Sequence, residues 1–147
     1  MSFVTDTCAL AELVKPRPHS GVLAWFNAQD AEALHPSALT VGEIEKGVAL
    51  LPAGRRRTAL RTWLGTLAST YSSRVLPVDA AVAAVWGRMA AAAEQNSGHL
   101  SVVDGLIAAT AIGHGQILAR EQGTVWQMRV PAVHGLGVRA TPELDTR

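Results

Sequence analysis

The sequence predicts an α/β fold, a single domain in which helices cover both faces of a short central parallel sheet. Two observations predict this class. Short apolar segments alternate along the chain with longer segments whose apolar residues recur at helical spacing. The chain also has 147 residues, 48% of them apolar and 17% charged, which suits one globular domain with a sizeable core.

Four short apolar segments are the predicted strands: 3–5, 34–39, 116–119 and 130–133. The first of them ends directly before Asp6. In open parallel sheets, functional sites form at the carboxyl ends of the strands. We therefore expect functional side chains to gather at that edge of the sheet.

Six segments are predicted helices, and three of them have Ser20, Thr40 or Ser101 as N-cap candidates. In the longest, Leu60, Trp63, Leu64 and Leu67 follow the i, i+3, i+4, i+7 rule. The helical segments are 7–13, 21–26, 41–51, 55–70, 79–94 and 102–112.

Charge and cysteine content exclude several classes of protein. The net charge is +1, so any polyanion site must be a local patch. The only dense basic cluster is 55–57 with Arg61, which is either a solvated helix start or a phosphate-contacting patch. A single cysteine, Cys8, excludes an internal disulfide and a cysteine zinc cluster. With no secretory leader and no membrane-length apolar run, we expect a soluble cytoplasmic protein.

Three carboxylates stand in apolar surroundings far apart in the sequence. Asp6 is the only charge in the first eleven residues, and Glu43 lies in the apolar run 39–44. Asp104 lies in the run 100–113, which is apolar on every helical face and is therefore predicted to be buried. Buried carboxylates are costly unless something compensates them. Three such acids, far apart in the sequence, suggest that their side chains come together in the fold to bind a hard cation.

The same acids also have a structural interpretation. Thr40 with Glu43, and Ser101 with Asp104, match the capping box, in which the acid bonds back to the N-cap amide. Against this, small neighbours such as Gly42 beside Glu43 leave room for an ion and a phosphate. Sequence reasoning leaves both interpretations open.

Two further acids are predicted to be structural. Asp79 precedes a helix and is the expected N-cap. Glu12 stands close to Lys15 and Arg17, and we expect it to pair with one of them.

Five short motifs follow one another along the chain, and their order is informative. They are 4–18 around Asp6, 40–47 around Glu43, 51–57 with its arginines, 76–87 from Leu76 to Gly87, and 98–111 around Asp104. In this order they resemble the PIN-domain ribonucleases, specifically VapC-type toxins of the FitB-like branch of bacterial toxin–antitoxin systems. The resemblance covers residues 3 to about 120.

The resemblance implies a function and its residues. Asp6, Glu43 and Asp104 would be the catalytic, metal-binding carboxylates of an endoribonuclease that uses Mg²⁺ or Mn²⁺. It also implies a VapB-type antitoxin partner, an RNA substrate and a homodimer, without membrane attachment. The PIN-like domain would span 1–134, and 135–147 would be a loose C-terminal tail.

One segment departs from the family pattern. After the last matched strand the family usually has Thr-Arg-Asn and then an acid, whereas this chain has Ala119, Glu121 and Thr124 at those positions. Glu121 is an additional candidate metal ligand, at a different position in the sequence from the acid that the family pattern expects. The departure motivates an alternative, a catalytically degenerate PIN module that binds antitoxin or RNA without cleavage. A third hypothesis is a structural α/β domain whose acids only cap helices.

Overall fold

The computed structural model describes residues 1–119. The predicted strand 130–133, the predicted tail 135–147, Glu121 and Thr124 lie outside the described residues. The described elements are β1 (Phe3–Thr5), α1 (Thr7–Glu12), α2 (Ser20–Ala28), β2 (Leu34–Pro36), α3 (Ala38–Ala49), α4 (Arg55–Thr70), α5 (Ala80–Gln95), α6 (Val102–Gly113) and β3 (Ile117–Ala119). A single 3₁₀ turn, Ala31–Ala33, precedes β2.

The three described strands form a parallel sheet in the order β2-β1-β3. Phe3 at the start of β1 pairs with Leu34 on one side and Ile117 on the other. Thr5 at its end is level with Ala119 of β3. The predicted α/β class with a short parallel sheet is confirmed.

Alternate residues of β1 face opposite sides of the sheet, as the two-residue period of a strand requires. Phe3 and Leu34 pack in one core cluster with residues of α1, α2, α3 and α4. Val4 and Leu118 pack in a second cluster with Ile107 of α6. Helices therefore cover both faces, as predicted.

A third cluster joins α5 to α6 through Val82, Met89 and Ala109. This contact extends the layer on the Val4 side of the sheet. Asp79 caps α5 by accepting a bond of 2.9 Å from the Val82 amide, which confirms its predicted role. None of the helices in residues 1–119 is long and apolar enough to cross a bilayer.

Two predicted N-caps are wrong by one to three residues. The α3 N-cap is Ser37, whose Oγ accepts from the Thr40 amide at 3.0 Å. The Thr40 hydroxyl instead donates to the Thr5 carbonyl at 3.1 Å, so this buried side chain joins α3 to β1. The α2 N-cap is His19, whose Nδ1 accepts from the Gly21 amide, rather than Ser20.

Three helices begin at the carboxyl edge of the sheet. α1 starts directly after β1, and α3 starts directly after β2. α6 packs on β1 and β3 and enters β3 through the short turn 114–116, so it runs antiparallel to the strands. The amino ends of α1, α3 and α6 are therefore gathered at one edge.

Candidate active site

Asp6 is fixed at the carboxyl end of the central strand. Its side chain is buried, with 6% of the residue exposed, and its Oδ1 accepts from the Ala9 amide at 2.8 Å. Its own amide donates to the Ala119 carbonyl at 3.1 Å. Asp6 is thus the N-cap of α1 and is anchored to the end of β3.

Glu43 is half-buried and points toward α1. Its Oε2 accepts a bond of 2.5 Å from the hydroxyl of Thr7, the residue that follows Asp6. Because Ser37 caps α3, Glu43 stands six residues beyond the N-cap, too far along to reach its amide. The capping-box interpretation of Thr40 and Glu43 is therefore wrong. Glu43 instead lies beside the Asp6 end of β1.

Asp104 is exposed, and the prediction that it is buried is wrong. α6 buries Ile107 and Ala111 against the sheet and Ala109 against α5, but its first turn is open, and Val102 there is 56% exposed. Ser101 is the N-cap residue, but its side chain makes no capping bond. Asp104 lies in the first turn of α6, where the helix dipole stabilises a negative charge. Its solvation removes the penalty that burial would have imposed.

The structure places two of the predicted acids in the same part of the molecule, joined through a neighbouring residue. Glu43 bonds to Thr7, the residue that follows Asp6. Asp104 lies in the first turn of α6, which contacts both β1 and α3. Carboxylate oxygens suit Mg²⁺ or Mn²⁺, so the chemistry of these side chains fits a hard divalent cation. Within residues 1–119, no group of three or more acidic, histidine or cysteine side chains is arranged to hold a metal ion.

A groove of about 490 Å³ opens from Glu43. α3 contacts both α1 and α4 and forms its floor, while α1 and α4 form its walls. Its lining is mostly apolar and includes Ile44, Val48, Leu60 and Trp63. Sequence analysis did not predict this groove, because Trp63 and Leu60 were assigned only to a helical core face.

A buried acid stands behind the groove. Glu12 is 2% exposed, and its Oε1 accepts from the Lys15 ammonium while its Oε2 accepts from the His19 amide at 3.0 Å. The Lys15 hydrogen bond, then the His19 amide, hold the pKa of Glu12 below its ordinary value, against the opposing effect of burial. The predicted pairing of Glu12 with Lys15 is confirmed. Lys15 also lines the groove, together with Arg56 of α4.

Comparison with known protein families shows which family this chain belongs to. The sequence profile of the PIN-domain family matches residues 3–125, which is most of the chain. The chain belongs to the PIN-domain family. A VapC ribonuclease named Y4jK from Sinorhizobium fredii is 40% identical over 117 residues, covering 79% of this chain and 84% of that protein. The toxin FitB from Neisseria gonorrhoeae is 34% identical over 121 residues, covering 81% and 87%. The predicted family resemblance is confirmed.

Solved structures support the same relationship. The PIN domain superposes on a crystal structure of FitAcB from Neisseria gonorrhoeae with a TM-score of 0.77 and 32% identity, covering 82% of this chain and 87% of that one. A structure of VapBC2 from Rickettsia felis bound to a promoter DNA fragment gives a TM-score of 0.67 at 17% identity, with coverage of 83% and 88%. The second likeness concerns the fold alone.

Proposed function

We propose that this PIN domain is a metal-dependent endoribonuclease and the toxin of a VapBC-type toxin–antitoxin system. The observation that carries the proposal is the position of Glu43, which is directed to Thr7 beside Asp6 and not to its own helix end. The similarity to a VapC ribonuclease and to the toxin FitB supports the same function. We place its activity in the cytoplasm, on RNA phosphodiesters.

Asp6, Glu43 and Asp104 would hold Mg²⁺ or Mn²⁺ at the carboxyl edge of the sheet. Such an ion supplies a more acidic water and stabilises negative charge on the phosphate. Two hydrogen bonds orient these carboxylates: the backbone amide of Ala9 donates to Asp6, and the side-chain hydroxyl of Thr7 donates to Glu43. Without a cation the carboxylates repel the RNA backbone, so we expect chelation to abolish cleavage.

The decisive test is cleavage of labelled structured RNA with Mg²⁺, with Mn²⁺ and with EDTA. Glu43→Gln and Asp104→Asn each remove a ligand charge with little change of shape. We expect each to reduce cleavage at least about a hundredfold, the scale of losing one electrostatic stabiliser of the transition state. Glu45→Gln is the matched control, because Glu45 lies on the same helix, is exposed and pairs only loosely with Arg61 at 3.5 Å.

Equal cleavage by wild type and by either site variant would contradict the assignment of these acids. Cleavage that persists in EDTA would contradict metal dependence. A loss of activity in Glu45→Gln as large as in Glu43→Gln would show that general charge on α3, and not the site, controls the rate.

The alternative function is a degenerate PIN module that binds antitoxin or RNA without cutting. Two observations favour it: Thr124 replaces the acid that the family pattern expects, and no three-acid group is preformed in residues 1–119. Combining Glu121→Asn with Thr124→Asp restores the asparagine and the acid that the family pattern expects. A large gain of cleavage in this double variant would support degeneration. No gain over an active wild type would indicate that Glu121 already completes the metal site.

We further propose a VapB-type antitoxin partner and a homodimer. The support is indirect: solved structural neighbours include VapBC and FitAB assemblies, and the FitB relative is named as a toxin. Light scattering of the purified chain tests the homodimer, which would have twice the 15.5 kDa mass of one chain. A mass of one chain at every concentration would contradict it.

A further inference from the structure

We propose that Glu12 is a positioning residue that holds Lys15 at the far end of the groove, where Lys15 and Arg56 bind an RNA phosphate beside the one that is cut. The proposal rests on the proposed nuclease function and names how that site would hold its substrate.

The groove has two chemically different ends. α1 and α3 both begin at the carboxyl edge of the sheet, so Thr7 and Glu43 mark the acidic end. Val48 also lines the groove and lies five residues further along α3, about 7.5 Å from Glu43 by helical rise. The groove therefore leads away from the acids along α3.

The basic side chains stand at that distant end. Lys15 follows the end of α1, and Arg56 is in the first turn of α4. α4 follows α3 after the short connection 50–54 and packs against it, so the two helices run antiparallel. Arg61 pairs with Glu45 in the second half of α3, and Arg56, five residues earlier on α4, lies closer to the end of α3. Lys15 and Arg56 thus enter the groove from opposite walls, away from Glu43.

Burial makes Glu12 the fixed partner in its ion pair. The Glu12 side chain is 3% exposed, whereas that of Lys15 is 52% exposed. Glu12 is also tied to the His19 amide, so its carboxylate cannot move without losing two partners. Lysine loses considerable rotamer freedom when it binds a ligand, and prior restraint reduces that loss. An ammonium has three donor hydrogens, so it can hold Glu12 and a phosphate oxygen together.

The charge pattern favours RNA as the occupant. A metal ion held at the acidic end would contact one phosphate of an RNA strand. The two basic side chains at the distant end would contact the next phosphate of the same strand. Arg56 offers a planar fork for phosphate oxygens, and α4 has no acid in its first turn to neutralise it. Trp63 supplies an aromatic surface in the same groove for a base. An acidic protein segment is the competing occupant, and the experiment below distinguishes it.

The test measures RNA binding by fluorescence anisotropy at several salt concentrations. Every protein compared carries the cleavage-impaired Asp104→Asn change, so that the loss of this ligand is common to all of them. We expect Lys15→Gln and Arg56→Gln each to weaken binding about tenfold and to reduce the salt slope by about one unit. Matched controls are Arg17→Gln and Arg55→Gln, which remove charges close in sequence that do not line the groove. In otherwise wild-type protein, Lys15→Gln should raise KM and leave kcat unchanged, and Lys15→Arg should restore KM.

Glu12→Gln tests the positioning role. We expect it to weaken RNA binding nearly as much as Lys15→Gln, and the double variant to be no weaker than Lys15→Gln alone, because both changes act through one contact. Thermal unfolding first establishes that each variant is folded. If Glu12→Gln does not fold, Lys15→Gln still tests whether Lys15 contacts the phosphate.

Two results would overturn the proposal. In the first, wild type cleaves RNA but Lys15→Gln binds it as tightly as Arg17→Gln does, so the nuclease function stands and the phosphate contact is wrong. In the second, wild type neither binds nor cleaves RNA while an acidic peptide binds in a Lys15-dependent manner. In that case the nuclease function fails as well, and the groove serves a protein partner.

Discussion

At the residue scale, Glu12 is the most informative buried group in the described chain. Two donors, the Lys15 ammonium and the His19 amide, keep its carboxylate ionised where few waters reach it. Charge-assisted hydrogen bonds of this kind are roughly twice as strong as neutral ones. Glu12 therefore fixes the turn between α1 and α2 as well as the wall of the groove.

The lowered pKa of Glu12 gives a pH-dependent stability. Because the folded-state pKa lies below the ordinary value of 4.5, the stabilisation is complete above about pH 4.5 and is lost as pH falls through the folded-state pKa. At pH 7 we expect Glu12→Gln to reduce the free energy of unfolding by about 2 kcal/mol. Urea unfolding of both proteins should show the difference shrinking below pH 4.5.

Glu94→Gln is the control for this measurement, since Glu94 is an exposed acid on α5. We expect its unfolding free energy to follow that of wild type at every pH. A stability difference between wild type and Glu12→Gln that stays constant from pH 7 to pH 3 would contradict the role given to the Glu12 charge.

At the scale of an element, α6 shows how a helix rich in apolar residues buries only part of its surface. Ile107 and Ala111 pack against the sheet, and Ala109 packs against α5. The start of the helix, with Val102 and Asp104, remains exposed. The exposed turn is the part that carries the candidate ligand, and the buried turns hold it in place.

Gly105 permits the close packing between α5 and α6. A Cβ at this position would lie 2.8 Å from Leu100 Cδ2 and 3.0 Å from Trp86 Cδ1. We expect Gly105→Ala to destabilise the protein by about 1 to 3 kcal/mol through overpacking, as measured by the urea midpoint. The site acid one residue earlier, Asp104, should then be held less firmly.

Gly87→Ala is the matched control on α5, because a Cβ at Gly87 has open space around it. This change should raise stability by up to about 1 kcal/mol, since alanine favours the helix and restricts the unfolded chain. Equal stability changes of the same sign in Gly105→Ala and Gly87→Ala would contradict the packing explanation.

At the scale of the whole molecule, the parallel topology gathers distant parts of the chain at one edge. Asp6 ends the central strand, while Glu43 and Asp104 come from early turns of helices on opposite faces of the sheet. A ligand that bridges them would join both helical layers. Metal binding should therefore stabilise the fold as a unit.

Mn²⁺ is expected to raise the melting temperature of wild type. At a concentration of one hundred times Kd, binding contributes about 2.7 kcal/mol, which corresponds to roughly 5 to 10 °C for a chain of this length. Glu43→Gln and Asp104→Asn should lose most of the shift, whereas Glu45→Gln should keep it. An unchanged melting temperature for wild type across millimolar Mn²⁺ would support the hypothesis that these acids are only structural.

Much of the candidate site could be predicted from sequence, because the relevant signals are local. An apolar segment followed by Asp6 predicts an acid at a strand end, and Asp79 before a helix predicts a cap. The roles of Thr40 and Glu43 could not be assigned in this way. Thr40 fits the N-cap pattern, but its hydroxyl bonds to Thr5, 35 residues away in sequence. Sequence spacing contains no information about a partner at that separation.

The sequence by itself determined the α/β class, most of the helix bounds, the family and the three candidate acids, because periodicity, caps and motifs are properties of neighbouring residues. Only the tertiary structure decided the solvation of Asp104, the Thr7 contact of Glu43 and the groove behind it. Each of these depends on which helix faces pack together, since burial and long-range hydrogen bonds are fixed by contacts between elements. The run 100–113 illustrates the reason: apolar residues lie on every side of this helix, but the sheet and α5 cover only part of it.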